Sequence, residues 1–127
     1  MKKIFILYLF ISLFIVGQAK EFNSIKEMPS NKDIVIMFSI PSCPWCARQL
    51  KVLEDIKETR DNFEFMKVQD DNIIYDELIE KYPFPVEVYP TSFIVTKEDG
   101  ELNIKYEFQG YQKKSSILKI LDSDDEF

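Results

Sequence analysis

Histidine is absent from this chain, and cysteine and tryptophan are nearly so, with two and one respectively in 127 residues. Without histidine there is no Ser-His or Cys-His nucleophile pair, and no metal site can draw on imidazole. Two cysteines cannot complete a four-ligand zinc site within one chain, so zinc would require a dimer sharing two pairs, and no metal is expected. Basic residues are in the minority, 16 Lys and Arg against 22 Asp and Glu, for a net charge of −6. That balance argues against nucleic acid or an anionic membrane surface as a partner, since both select for basic patches. Internal repeats and low-complexity tracts are also missing. What remains is the composition of one folded domain, 46% hydrophobic and 30% charged, with eleven Phe and six Tyr.

The long apolar run lies at the start. "MKK" leads into "IFILYLFISLFIVG", Ile4 to Gly17, and then "QA" before Lys20. A basic start, an apolar stretch of about 14 residues and small residues at the cut describe a secretory signal peptide. The expected division is a signal peptide over 1–19 and a domain over 20–127, exported to the periplasm or an equivalent extracytoplasmic space. An uncleaved segment would instead anchor the chain in the membrane, although the run is short for a span. Cleavage removes Lys2 and Lys3, leaving 22 acidic against 14 basic residues, a charge of about −8.

The cysteines sit together in "SCPWC", with Pro44 and Trp45 between Cys43 and Cys46. In an oxidising compartment such a pair tends to be bonded. A purely structural disulfide is one reading, but a loop this short removes little entropy from the unfolded chain. The surroundings sharpen the choice. "DIVIMFSI", Asp33 to Ile40, is a continuous apolar run suited to a strand buried on both faces. Pro44 then fits the first turn of a helix whose apolar stripe is Cys46, Leu50, Leu53 and Ile56. Cys43 is thereby placed at the helix N-cap and Cys46 on the buried face one turn later. A thiolate at Cys43 would be stabilised by the partial positive charge and free N–H groups of the helix end, so its pKa should fall below that of a free cysteine. Cys46 is positioned to displace a mixed disulfide formed there.

The remaining pattern predicts a strand over Asn62–Gln69, a helix over Asn72–Tyr82 ended by Pro83 and Pro85, and a strand in "YPTSFIVT". A turn follows at Gly100, then a half-buried strand with Leu102, Ile104, Tyr106 and Phe108 on one face. Gly110 breaks that strand, a closing amphipathic helix lies in "KKSSILKIL", and an acidic tail follows. The order is β-α-β-α-β-β-α: an α/β fold with a mixed sheet, parallel strands first and an antiparallel hairpin last.

That order, with "CPWC" at the first strand-to-helix junction, Tyr89-Pro90-Thr91 heading a later strand, and Gly110 after the hairpin, resembles the thioredoxin fold over nearly the whole domain. The resemblance implies a thiol–disulfide oxidoreductase with Cys43 and Cys46 as catalytic residues and no bound cofactor. It also implies a cis Tyr89–Pro90 bond facing the cysteines. Trp45, Tyr89, Pro90, Thr91 and Gly110 would then form the substrate-binding surface. Protein thiols and disulfides are the implied substrates, a membrane-embedded protein the implied electron donor, and a monomer the expected state. Reduction is the leading direction; an oxidase or isomerase, or a non-catalytic binding module of the same fold, are the alternatives. Several departures stand out. Met37 replaces the buried Asp that thioredoxins usually carry six residues before the first cysteine, and Ser42 replaces the usual Trp. A Gly-Gly-Asp-like glutathione motif is missing after Pro90-Thr91. Met66 follows Cys46 by only 20 positions, so the helical insertion of strong exported oxidases is also missing. The chain is similar to small exported thioredoxin-like proteins with CPxC sites.

Overall fold

The computed structural model describes residues 19–122 except Pro83, so most of the expected signal peptide and the acidic tail after Asp122 lie outside the described residues. The elements follow the expected order. One turn of 3-10 helix (Ile25–Glu27) precedes β1 (Asp33–Phe38), α1 (Pro44–Thr59), β2 (Phe63–Val68) and α2 (Ile73–Lys81). β3 (Thr91–Glu98), β4 (Glu101–Gln109) and α3 (Lys114–Leu121) complete the chain. The sheet order is β2-β1-β3-β4, with β1 and β2 parallel and the other pairs antiparallel.

The unbroken apolar run of β1 has a direct explanation. Successive side chains on a strand point to opposite faces, and both faces here are covered. Ile34, Ile36 and Phe38 enter one core with Met66, Val68, Phe93, Val95 and the α2 residues Ile74 and Leu78. Val35 and Met37 enter the other with Phe63, Phe65, Ile94, the α1 residues Cys46, Leu53 and Ile56, and Ile117 and Leu121 of α3. An ion pair between Arg60 and Asp122 joins the C-terminal ends of α1 and α3. α2 is slightly shorter than the pattern predicts, because Asn72 and Tyr82 serve as its caps. The Tyr82 hydroxyl accepts from the Leu102 N–H at 2.9 Å, tying the end of α2 to β4.

The β3–β4 connection is a two-residue turn with positive φ at both Asp99 and Gly100. That is the twist-matched geometry that favours Asp-Gly in hairpins. Beyond the turn the structure corrects one expectation. Leu102 packs in the α2-side core and Phe108 in the core beneath α1 and α3, so the four apolar residues of β4 do not share a face. The pairing explains why: Ile94 lies opposite Tyr106, but Val95 lies opposite Ile104, so the register shifts and Lys105 has no partner in the ladder. One inserted residue exchanges the faces of everything beyond it. Lys105 instead reaches Asp33 on β1, 3.1 Å away.

This geometry separates residues that strict alternation would treat alike. Leu102→Ala and Phe108→Ala should each lower stability by about 2–5 kcal/mol, from opposite cores. Ile104→Ala, at a position 39% exposed, should cost less than about 1 kcal/mol. Urea unfolding of the three variants measures this; equal losses would return all of them to one face.

Candidate active site

β1 delivers the chain to the carboxyl edge of the sheet, where a Pro41-Ser42 turn reverses it into α1. Ser42 adopts φ +59, a left-handed conformation few non-glycine residues take. Cys43 is the N-cap, extended at φ −108 and ψ 104, with Pro44 in the first helical turn. Its sulfur accepts the Cys46 N–H at 3.2 Å, and its carbonyl accepts the Ala47 N–H at 3.1 Å. The sulfur therefore occupies the place of the side-chain oxygen in an ordinary N-cap. Cys43 and Cys46 form a disulfide with Cα atoms 5.2 Å apart. Cys46 is buried and Cys43 is partly exposed, the asymmetry expected of an attacking and a resolving sulfur.

The first turn of α1 contains no acidic residue, so the positive end of the helix is left uncompensated beside Cys43. Two cations lie close by. The Arg48 guanidinium sits 4.6 Å from the centre of the Trp45 ring. Lys67, the partner of Met37 across the β1–β2 ladder, lines an open cavity of about 480 Å³ that also borders both cysteines, Pro41, Leu50 and Gln69. In a chain of net charge −6, the helix end and Lys67 are the positive groups that border the disulfide cavity.

The other expected site residues gather at the same edge of the sheet. Thr91 pairs with Phe38 at the end of β1 and with Gln109 at the end of β4. The Tyr89–Pro90 bond is cis. Pro90 is buried and its carbonyl accepts the Gly110 N–H at 2.8 Å. Gly110 has φ +79, which a side chain would strain even though a Cβ there would meet nothing. Thr91 is fully buried and its hydroxyl donates to the Val88 carbonyl at 2.6 Å, so its side chain shapes the loop. Trp45 is 51% exposed and Tyr89 39%.

Two further residues support this edge. The Tyr111 ring lies 5.4 Å from that of Trp45. Gln49 is fully buried within the α1 stripe. Its side-chain oxygen accepts the Gln112 N–H at 2.7 Å, and its amide donates to the Gln112 carbonyl at 3.2 Å. Leu50, expected in the stripe, is only half-buried because it borders the cavity. A signal for Gln49 existed: residues 46, 49, 53 and 56 follow helical spacing, which sets a polar amide on the buried face. Met37 is buried in the same core as Cys46, so the position beneath Cys46 carries no acid. Among the described residues the buried carboxylate is Glu64, which lies opposite Ile34 towards the other end of the strands and is held by Lys57 at 2.7 Å.

Replacing the clamp tests its role. Gln49→Leu leaves both backbone groups of Gln112 without their partners and should cost about 1–3 kcal/mol. It should also release Tyr111 from Trp45. The emission of Trp45, the only tryptophan, reports this directly; unchanged emission and stability would show that Gln49 is not the tether.

Comparison with known proteins agrees with this geometry. The glutaredoxin family pattern matches residues 35–97, a span holding both cysteines and Tyr89-Pro90-Thr91, despite the missing Gly-Gly-Asp-like motif. A glutaredoxin of Vibrio cholerae serotype O1 is 29% identical over 83 residues, covering 64% of this chain and 92% of that protein. An uncharacterised thioredoxin-like protein from Clostridium perfringens shares the fold with a TM-score of 0.62 at 23% identity, over 84% of this chain and 82% of that one. The long form of spinach chloroplast thioredoxin f superposes with a TM-score of 0.64 at 20% identity, over 86% and 88% of the two chains. The chain thus has the thioredoxin fold and, with its CxxC pair at the head of α1 and its likeness to the glutaredoxins, is a thiol–disulfide oxidoreductase.

Proposed function

We propose that this oxidoreductase works outside the cytosol, after loss of residues 1–19, as a reductase of protein disulfides. The observation that carries the chemistry is the Cys43 sulfur capping α1: it accepts the Cys46 N–H at a helix end with no acidic neighbour in the first turn. Once the disulfide is opened, the same N–H and the helix dipole favour the Cys43 thiolate over the thiol. That thiolate attacks a substrate disulfide, forming a mixed disulfide and releasing one substrate thiolate. Cys46 then attacks the Cys43 sulfur, re-forming the internal disulfide and releasing the second substrate thiol. Two electrons have passed to the substrate, and a dithiol donor must restore the pair.

Thioredoxin-like proteins act on protein thiols and disulfides. The exposed faces of Trp45 and Tyr89, beside the loop shaped by Pro90, Thr91 and Gly110, supply an apolar surface on which an extended substrate segment can lie. The donor fitting an exported reductase is a membrane-embedded protein, and a monomer suffices for the mechanism. Export is supported by the basic, apolar and small-residue order of residues 1–19; the reducing direction is supported by likeness to small exported thioredoxin-like proteins.

Three measurements test the reading. Mass spectrometry of the exported protein should find an N-terminus at or next to Lys20; an intact Met1 in a membrane fraction would replace cleavage with anchoring. Equilibration with glutathione buffers should give a potential near that of thioredoxin, about −270 mV, whereas a value near −120 mV would make the protein an oxidase. Cys46→Ser should leave substrates covalently trapped on Cys43 as reducible adducts, and Cys43→Ser should abolish both turnover and trapping. The opposite pattern would exchange the two roles.

A further inference from the structure

Ser92 is 2% exposed, and its hydroxyl makes no hydrogen bond within the described structure. Such a group costs stability unless it finds a partner. Its position points to one. Ser92 lies on β3 between Met37 of β1 and Phe108 of β4. Strand alternation turns Phe93 to the α2-side core, where it packs, and Ser92 and Ile94 to the opposite face. That face is the one on which Met37, Phe108 and Cys46 form a single cluster. Ser92 is thus turned to the face of the sheet that carries Cys46, beside Met37, which is buried in the same core as Cys46.

We propose that Ser92 is a positioning residue that hydrogen-bonds the Cys46 sulfur once the disulfide is open, and so stabilises the dithiol form. The inference rests on the oxidoreductase reading above. While the disulfide is closed, the Cys46 sulfur is neutral and a weak acceptor. A dithiol donor opens it by delivering two electrons and two protons: the Cys43–Cys46 bond breaks, and the donor's own disulfide forms. Cys46 then holds a thiol in an apolar pocket: its S–H, which the disulfide lacks, can donate to the Ser92 oxygen, and its sulfur can accept the Ser92 O–H as it becomes negative on giving up its proton to resolve a mixed disulfide. A buried charge of that kind needs a donor. The Gln49 amide is committed to the Gln112 carbonyl, Met37 has no polar hydrogen, and Lys67 on the same face is exposed along the cavity wall. The Ser92 hydroxyl is the buried side-chain donor on this face that has no partner among the described residues. It exchanges no electron and adds no step.

The test compares the chain with Ser92→Ala and Ser92→Thr in glutathione buffers, reading dithiol and disulfide by alkylation, and melts each protein in both redox states. Ser92→Ala should shift the equilibrium towards the disulfide by about fivefold, the weight of one net hydrogen bond, or about 20 mV for a two-electron couple. It should raise the melting temperature of the oxidised form but not of the reduced form. Ser92→Thr, which keeps the hydroxyl, should stay near the parent. An unshifted Ser92→Ala whose two forms gain stability equally overturns the proposal, as does a Ser92→Thr that shifts as far as Ala. A parent chain that shows no exchange overturns the oxidoreductase reading, and this inference with it.

Discussion

A helix begins with backbone N–H groups that its own turns cannot satisfy, and in α1 one of them donates to the sulfur of Cys43. Much of the site follows from that bond. It requires the cysteine to stand outside the helix in extended conformation and the chain to turn sharply before it, which Pro41 and Ser42 provide. Pro44, lacking an N–H, starts the helix without adding an orphan donor. It requires the second cysteine one turn on, where helical geometry carries it into the core. Cys43 is thus placed by hydrogen bonding and Cys46 by burial, both from a five-residue segment. The rest of the fold holds that segment at the edge of a sheet sealed on both faces.

The charge distribution extends the same logic. A chain with an excess of six negative charges leaves the first turn of α1 free of carboxylates, sets Arg48 over Trp45 and puts Lys67 on the wall of the cavity that borders both cysteines. A net negative charge disfavours non-specific contact with polyanions. The local positive field favours the ionised sulfur on which exchange depends. Missing acid at Met37 and missing acid in the first turn act together: nothing close to the pair in sequence or ladder register holds a proton in competition with it.

Much of this arrangement was legible in the sequence, for physical reasons that differ by element. The two-faced burial of β1 shows as an unbroken apolar run, and the helix start shows as a proline after a capping residue. The Asp99-Gly100 turn announces itself because few residue pairs accept positive φ twice. The shift at Lys105 left no mark. Leu102, Ile104, Tyr106 and Phe108 alternate whether or not a residue is skipped, and only the partner strand reveals which face each meets. Ser92 was hidden in the same way, as a small residue inside an apolar strand whose neighbours across the ladder are distant in sequence. Gln49 was readable in principle, but a polar residue on a buried stripe acquires meaning only when the backbone it binds, 63 positions later, is in view.

The irregularity at Lys105 has a consequence of another kind. β4 is the last strand of the sheet, and at nine residues the longest. An outermost strand of that length, with a free row of backbone donors and acceptors, is a template on which another extended chain can stack. The extra residue breaks the even spacing of that row midway, and its ammonium group is drawn to Asp33. A visiting strand would meet a kink where it needs a straight rail, so the feature that splits the hairpin between two cores also guards the open border of the sheet against aggregation.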